Sequence, residues 1–166
     1  KGYFAQKLDA DGSQAEIPVE WPKEQFLTLL PIKVSVNIEA REVKIQVWEY
    51  IVKGITGASA PVYFLDTGLA ENAEYDRSLT SFLYGGDQWY RLCQEIILGI
   101  GGLRAIEAIG YQNIEKYHMN EGHASLLALE LLERTKKDGE EDIYKKYDLE
   151  SVRNKCIFTT HTPVAA

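Results

Sequence analysis

Two polar clusters, each at the end of a short apolar run, contain all three histidines of the chain. The first is His118-Met119-Asn120-Glu121-Gly122-His123, and the second is Thr159-Thr160-His161-Thr162. If the apolar runs are neighbouring parallel strands, their carboxyl ends border the crevice in which α/β sheets bind ligands. We therefore expect Glu121, His123 and His161 to point into one site, which suits a small molecule or a sugar better than a nucleic acid.

The first cluster also has the features of a helix start. Asn120 is the predicted N-cap, and Glu121 and His123 would lie in the first helical turn, where negative charge is favoured. Gly122 removes a side chain where a ligand or a loop could approach closely. Two interpretations of Glu121 stay open, since it either complements the helix terminus or forms a polar wall of a substrate cleft.

Four residues of the two clusters are candidate metal ligands, because zinc binds histidine and carboxylate side chains: His118, Glu121, His123 and His161. Their spacing matches no metalloprotease pattern. His118 should alternate away from the site along its strand, so we expect it to pack beside the sheet. We predict no metal centre.

The segment Gly99-Ile100-Gly101-Gly102 is similar to a dinucleotide-binding fingerprint. That fingerprint requires a strand immediately before it and a helix that opens at it. The preceding residues already follow helical spacing, with Cys93, Ile96 and Ile97 on one face. We therefore predict that these small residues let a helix pack close to the sheet.

Ahead of these clusters, strict alternation over residues 32–53 predicts an antiparallel hairpin. Its apolar positions resume after Glu39-Ala40-Arg41-Glu42, which is the predicted turn. The alternating apolar residues before the turn are Ile32, Val34, Val36 and Ile38, and those after it are Val43, Ile45 and Val47. Residues 1–31 contain three prolines and a turn signal at Asp9-Ala10-Asp11-Gly12, so we expect an irregular arm with one or two short strands,.

From residue 61 onward the predicted order is β-α-β-α-β. The strands are expected at 61–65, 114–119 and 156–160, and the helices near 88–109 and 121–136, the first ending at Gly110. This order favours a parallel sheet with right-handed crossovers. We predict an α/β protein in which residues 1–60 form the arm and β-hairpin and residues 61–166 form the β-α-β-α-β part.

Composition narrows the class of protein. The 166 residues fit one domain, and the net charge of −7 argues against a nucleic-acid partner,. No apolar run approaches the length of a membrane span. Cys93 and Cys156 are expected to be buried free thiols, which fits a cytoplasmic protein. The chain begins Lys-Gly-Tyr without an initiator methionine, and we expect it to be a piece of a longer protein.

Several motifs together resemble the α-glucan (glycogen, starch and maltodextrin) phosphorylases, and most of all their bacterial and archaeal branch. Tyr117 to Ala124 and Phe158 to Pro163 carry the strongest likeness. Further likeness lies in Tyr84-Gly85-Gly86-Asp87, Arg91 to Glu95, Leu98 to Gly102, Leu8 to Gly12 and Pro18 to Trp21. The likeness covers essentially the whole chain. Ala165 departs from it, where another proline or a glycine-containing turn is expected.

The resemblance implies an architecture and a reaction. Such enzymes have two facing Rossmann-like domains of the glycosyltransferase-B type, and this chain would be an internal part of the first. The implied reaction is reversible phosphorolysis of a terminal α-1,4-linked glucose to glucose 1-phosphate. The implied cofactor is pyridoxal phosphate, whose lysine and main phosphate-binding residues belong to the second domain. The implied partners are an α-glucan or maltooligosaccharide and inorganic phosphate, and a homo-oligomer is compatible with the resemblance.

The resemblance also implies roles for individual residues. His161 would be the catalytic residue, with its side chain on the glucose hydroxymethyl group and its backbone carbonyl near the anomeric carbon. A fixed carbonyl dipole there stabilises an oxocarbenium-like centre. The implied substrate-binding residues are Thr162 beside His161, the cleft residues Asn120, Glu121, Gly122 and His123, and the gating loop with Tyr84 and Asp87.

Two alternatives stay open from the sequence. One is a nucleotide-sugar glycosyltransferase of the same architecture, similar to a glycogen synthase. The other is a non-catalytic glucan-binding or regulatory module. A pyridoxal-binding lysine segment downstream of this chain would decide for the phosphorylase.

Overall fold

The computed structural model describes residues 3–19, 22–82 and 86–161. The arm begins with an antiparallel hairpin of β1 (Tyr3–Leu8) and β2 (Gln14–Val19). Its turn includes Gly12 at φ 84°, a left-handed conformation that glycine adopts without steric cost,. A 3₁₀ turn, Lys23–Gln25, follows. The one or two short strands predicted within residues 1–31 are confirmed, and β1 and β2 pair as a regular hairpin.

A three-stranded antiparallel sheet comes next, in the order β3 (Thr28–Ile38), β4 (Arg41–Lys53) and β5 (Ser59–Asp66). Glu39 and Ala40 form the two-residue turn between β3 and β4, with φ values of 47° and 62°. Positive φ at both turn residues matches the twist of the flanking strands. The predicted hairpin is confirmed, and its inward face is buried at Val36, Ile38, Val43, Ile45 and Val47.

The strand predicted at 61–65 belongs to this sheet, and its predicted place in the parallel sheet is wrong. β5 pairs antiparallel with β4 from Gln46 opposite Asp66 to Lys53 opposite Ser59. A tight turn joins them, with the Gly54 N–H donating to the Ala58 carbonyl at 2.7 Å. So short a connection can join only antiparallel neighbours, because a parallel pair needs a crossover.

A buried carboxylate ties the arm to this sheet. Asp66, 3% exposed, accepts hydrogen bonds from Lys23 Nζ at 2.6 Å and from Trp48 Nε1 at 3.1 Å. Gln46 Nε2 and the Gly68 N–H also donate to this carboxylate, each at 2.9 Å. The Lys23 ammonium also lies 4.8 Å from the centre of the Trp48 ring. The 3₁₀ turn is thereby held against the end of β5 and the middle of β4.

After the short helix α1 (Glu74–Ser78), the predicted helix at 88–109 is confirmed. It consists of α2 (Gln88–Ile96), a π-helical turn at Ile97–Gly101 and α3 (Gly102–Ile109). Gly110, at φ 117°, ends it as predicted,. A Cβ on Gly101 would lie 2.6 Å from Ile45 Cδ1, and one on Gly99 would lie 2.8 Å from Leu127 N. The predicted close packing at the glycines is therefore confirmed.

The last part of the chain is a β-α-β unit. β6 (Tyr117–Asn120) and β7 (Cys156–Thr159) form a parallel two-stranded sheet. Between them lie a 3₁₀ turn at Gly122–Ala124 and three helices, α4 (Leu127–Arg134), α5 (Ile143–Lys146) and α6 (Leu149–Lys155). The parallel pairing of the last two predicted strands is confirmed, and the protein is of the mixed α/β class.

The predicted helix at 121–136 is shorter than expected. Asn120 is the last residue of β6, so its predicted role as a helix N-cap is wrong. Glu121 and His123 lie before α4 rather than in its first turn. The cause is the pairing of Glu121, whose backbone N–H donates to the Thr159 carbonyl at 2.8 Å and so continues the strand pairing.

The buried side chains form two clusters. One lies between the antiparallel sheet and α2 and includes Val36, Ile45 and Cys93, while the other packs Leu103, Met119 and Leu131 between α3, β6 and α4. Cys93 and Cys156 are both free, and burial raises the pKa of each thiol. In the part of the chain that the structure describes, no helix combines the length and the apolar character needed to span a membrane.

Candidate functional site

The site lies where β6 and β7 end together. In the parallel register Asn120 is opposite Thr159, so both strands leave the sheet at the same edge. Carboxyl ends of parallel strands are the usual ligand-binding edge of such sheets. The two polar clusters of the sequence therefore meet at this edge.

His161 is held by contacts from the end of β6. Its Nε2 atom lies 2.6 Å from Asn120 Oδ1. Its backbone N–H donates to Glu121 Oε1. Glu121 Oε2 also accepts a weaker hydrogen bond from the Thr160 hydroxyl at 3.4 Å. The structure thus brings Asn120, Glu121 and His161 together, and the His161 side chain stays exposed.

Glu121 adopts an uncommon backbone conformation. Its φ of 60° and ψ of −172° lie in a region that is almost reserved for glycine,. Such a residue costs on the order of 1–3 kcal/mol and persists only when its surroundings hold it there. Strain of this kind concentrates at functional sites, which supports this strand end as the candidate site.

His123 is placed by the 3₁₀ turn and approaches helix α2. Its Nδ1 atom lies 4.0 Å from Glu95 Oε1. Both side chains are about one-third exposed or less, at 33% and 27%. Glu95 was not among the predicted site residues, because nothing in the spacing of α2 distinguishes it from other polar helix positions. The approach of α2 to the 3₁₀ turn in three dimensions is what reveals it.

The expectation that His118 points away from the site is wrong. Residues two apart on a strand share a face, and His118 therefore lies on the same side of β6 as Asn120. Its Nε2 atom is 2.6 Å from Thr159 Oγ1. His118 is thus hydrogen-bonded one step before the strand ends, and Met119 is the β6 residue that is buried on the opposite face.

The remaining predicted site residues have separate places. Asp87 is the N-cap of α2, and its Oδ1 accepts a hydrogen bond from the Tyr90 N–H at 2.8 Å. A Cβ added to Gly122 would meet nothing within 4 Å, so the surface there is open. Tyr84 and Thr162 lie outside the described residues.

The chemistry available at the strand ends is hydrogen bonding by neutral and acidic groups. The partners of His161 are an amide oxygen and a carboxylate, both of which accept hydrogen bonds. No cluster of three or more metal-ligating side chains occurs within 3–19, 22–82 and 86–161. The arrangement suits recognition of a hydroxyl-rich ligand.

Comparison with curated proteins identifies relatives that match the chain along nearly all of its length. The glycogen phosphorylase of Mycobacterium tuberculosis is 40% identical over 99% of this chain. The maltodextrin phosphorylase of Thermococcus litoralis is 36% identical over 99%, and the glycogen phosphorylase of Aquifex aeolicus is 31% identical over 99%. By sequence, this chain is similar to a segment of the glycogen and maltodextrin phosphorylases.

The match to these phosphorylases covers a segment of their length. The chain spans about 20% of the Mycobacterium and Thermococcus phosphorylases and 23% of the Aquifex enzyme. No protein-family profile matches the chain, and no solved structure matches it significantly.

Proposed function

We propose that this chain is a segment of an α-1,4-glucan phosphorylase. The whole protein would release glucose 1-phosphate from the non-reducing end of an α-glucan or maltooligosaccharide, with inorganic phosphate as the second substrate. The observation that carries the proposal is the 31–40% identity to phosphorylases over 99% of the chain. The clustering of Asn120, Glu121 and His161 at the end of a parallel strand pair supports it.

In this proposal His161 contacts the substrate. Its exposed imidazole is available to a sugar hydroxyl, while Glu121 holds its backbone N–H. An anchored peptide can direct its carbonyl dipole at a fixed point, and such a dipole stabilises positive charge that develops at an anomeric carbon. Asn120, Gly122, His123 and Thr162 would line the same cleft, with Tyr84 and Asp87 in a gating loop.

The strand-end cluster does not fit pyridoxal phosphate. A phosphate-bearing cofactor needs cationic side chains or backbone N–H donors. The groups bonded to His161 accept hydrogen bonds rather than donate them. The backbone N–H of His161 already donates to Glu121, so it is not available to bind an anion. The resemblance implies that the cofactor, its lysine and the main phosphate ligands belong to a second Rossmann-like domain of the proposed enzyme, and the role proposed for this chain is to bind the glucan.

The proposal is tested on the whole protein that contains this segment. Purified protein loaded with pyridoxal phosphate is given a maltooligosaccharide, with and without inorganic phosphate. We expect glucose 1-phosphate only when phosphate is present. Glucan elongation from a nucleotide sugar, without any phosphate-dependent release, would instead support the glycosyltransferase alternative. Saturable glucan binding with neither reaction would support a binding module.

A further inference from the structure

The ring and the main chain of His161 are fixed by different residues. Asn120 contacts the imidazole at Nε2, 2.6 Å from the amide oxygen. Glu121 accepts the backbone N–H of His161 through Oε1, and its Oε2 accepts the Thr160 hydroxyl. A group that is fixed before a ligand arrives loses less conformational freedom when the ligand binds.

The bond to Asn120 selects one tautomer of the imidazole. An amide oxygen only accepts hydrogen bonds, so the Nε2 atom of a neutral His161 must carry the proton. The Nδ1 atom is then a hydrogen-bond acceptor. It bonds to none of the residues that the structure describes, and the side chain is exposed. Nδ1 is therefore presented to an outside donor such as a hydroxyl group.

The strain at Glu121 fits a positioning role. A residue at φ 60° and ψ −172° needs contacts that hold it there,. Carboxylate bonds to His161 and Thr160, one at each oxygen, supply such contacts. A carboxylate engaged in this way acts on a ligand through the main chain that it holds.

We infer that Asn120 and Glu121 are positioning residues for His161. Asn120 fixes the tautomer in which Nδ1 accepts a hydrogen bond from a ligand hydroxyl, and Glu121 fixes the main chain after β7. The identity of the ligand rests on the proposed function. In that function, the hydroxyl belongs to the hydroxymethyl group of a terminal glucose. Selectivity for that hydroxyl then depends on Asn120 as much as on His161.

The first experiment measures this selectivity in the whole protein. Glucosyl transfer to a maltooligosaccharide is followed with glucose 1-phosphate and with 6-deoxyglucose 1-phosphate, and the ratio of the two kcat/KM values is the selectivity. We expect His161→Ala and Asn120→Leu each to lower the selectivity about tenfold, because each removes the oriented acceptor. Asn120→Asp keeps an oxygen acceptor and should recover most of it.

Glu121 is tested in the same assay with a matched pair of variants. Glu121→Gln retains an oxygen that can accept the His161 N–H, whereas Glu121→Leu does not. We expect the leucine variant to lose about tenfold in kcat/KM for glucose 1-phosphate and the glutamine variant to lose several times less. Asn113→Leu, at an exposed position outside the site, is the control for loss of an amide and should leave the selectivity unchanged.

A structural role alone predicts a different result. If Asn120→Leu lowers kcat/KM equally for both donors, or has no effect, the tautomer assignment is overturned. The same holds if Asn120→Asp is as damaging as Asn120→Leu. For Glu121, equal losses in the glutamine and leucine variants would overturn its positioning role.

A second measurement separates this inference from the proposed function. Histidine ¹⁵N NMR of the 166-residue chain, assigned with His161→Ala, reports which ring nitrogen carries the proton. We expect the Nε2–H form in the native chain and a mixture of tautomers in Asn120→Leu. An Nδ1–H form in the native chain would overturn the inference. If the whole protein transfers glucose from neither donor, the proposed function fails while this measurement still decides the tautomer.

Discussion

At His161 the side chain and the main chain have different partners, and substitutions can separate their contributions. The imidazole contacts Asn120, whereas the backbone N–H contacts Glu121. Removing the ring leaves the backbone contact available. Because the side chain is exposed, its removal creates no cavity in either core cluster. Loss of ligand contact should therefore exceed loss of stability.

We expect His161→Ala in the whole protein to lower kcat/KM for phosphorolysis. Expressed as a free energy, this loss should be far larger than the decrease in the free energy of unfolding. Loss of a well-placed hydrogen bond costs on the order of 1–3 kcal/mol, which corresponds to between about 5-fold and more than 100-fold in rate. Asn113→Ala is the comparison, because Asn113 is exposed and lies outside the strand-end cluster. Steady-state kinetics and denaturant unfolding check both variants. Equal losses of turnover would contradict the site assignment.

At Glu121 the backbone and the carboxylate can be separated in the same way. Glu121→Gly and Glu121→Ala both remove the carboxylate, but only glycine relieves the strain at φ 60° and ψ −172°. We expect the glycine variant to be more stable than the alanine variant by about 1 kcal/mol, since relief of strain exceeds the greater unfolded-state entropy of glycine. Urea unfolding of the chain measures the difference. An alanine variant that is the more stable of the two would show that the strained conformation is not the native one.

At the scale of elements, the helix of residues 88–109 shows how glycine serves packing. Gly99 and Gly101 are buried where neighbouring elements approach, whereas Gly102 is only partly buried. The π-helical turn at Ile97–Gly101 places these residues against both α4 and β4. Helical spacing predicts the helix, but the approach of its neighbours determines which glycine cannot be replaced.

Two glycines in this helix should therefore respond oppositely to alanine. Gly99→Ala would place a Cβ 2.8 Å from Leu127 N, and we expect it to lower the free energy of unfolding by about 1–3 kcal/mol,. Gly102→Ala would meet only Leu65 Cδ1 at 3.8 Å, and we expect it to raise stability by about 0.5–1 kcal/mol through better helix propensity,. Thermal or urea unfolding distinguishes them. Equal responses would contradict the close approach of α4.

At the scale of the whole molecule, the chain spans about a fifth of the length of the phosphorylases that it matches. Its strand-end cluster offers acceptors for sugar hydroxyls but does not fit a phosphate-bearing cofactor. Glucan recognition and phosphate chemistry would accordingly lie on different parts of the proposed enzyme, and each part alone should fail to complete the reaction.

We expect the 166-residue chain by itself to release no glucose 1-phosphate from a maltooligosaccharide and phosphate, with or without added pyridoxal phosphate. The reason is that, in the proposed enzyme, the residues that act on phosphate would belong to another domain. An enzyme-coupled assay for glucose 1-phosphate checks this, with the whole protein as the positive control. Release by the chain alone would contradict the division of roles.

The sequence by itself determined the features that depend on local pattern. Alternation of apolar and polar residues over 32–53 predicted the hairpin, since successive side chains of a strand point to opposite faces. Helical spacing from Tyr90 predicted the helix that ends at Gly110. Polar residues after the two apolar runs predicted that the two clusters would meet, which the register of β6 and β7 confirms, and motif similarity predicted the phosphorylases that the chain matches.

Only the tertiary structure decided which elements meet. A short apolar run has the same appearance in a parallel and an antiparallel sheet, so the partner of β5 could not be predicted from its residues. The strained conformation of Glu121 and the pairing of its N–H with Thr159 depend on a strand that lies more than thirty residues away in sequence. The approach of Glu95 to His123 likewise depends on where α2 packs. The periodicity of apolar residues in a sequence indicates which face of an element is buried. Which other elements that face contacts is determined by long-range packing.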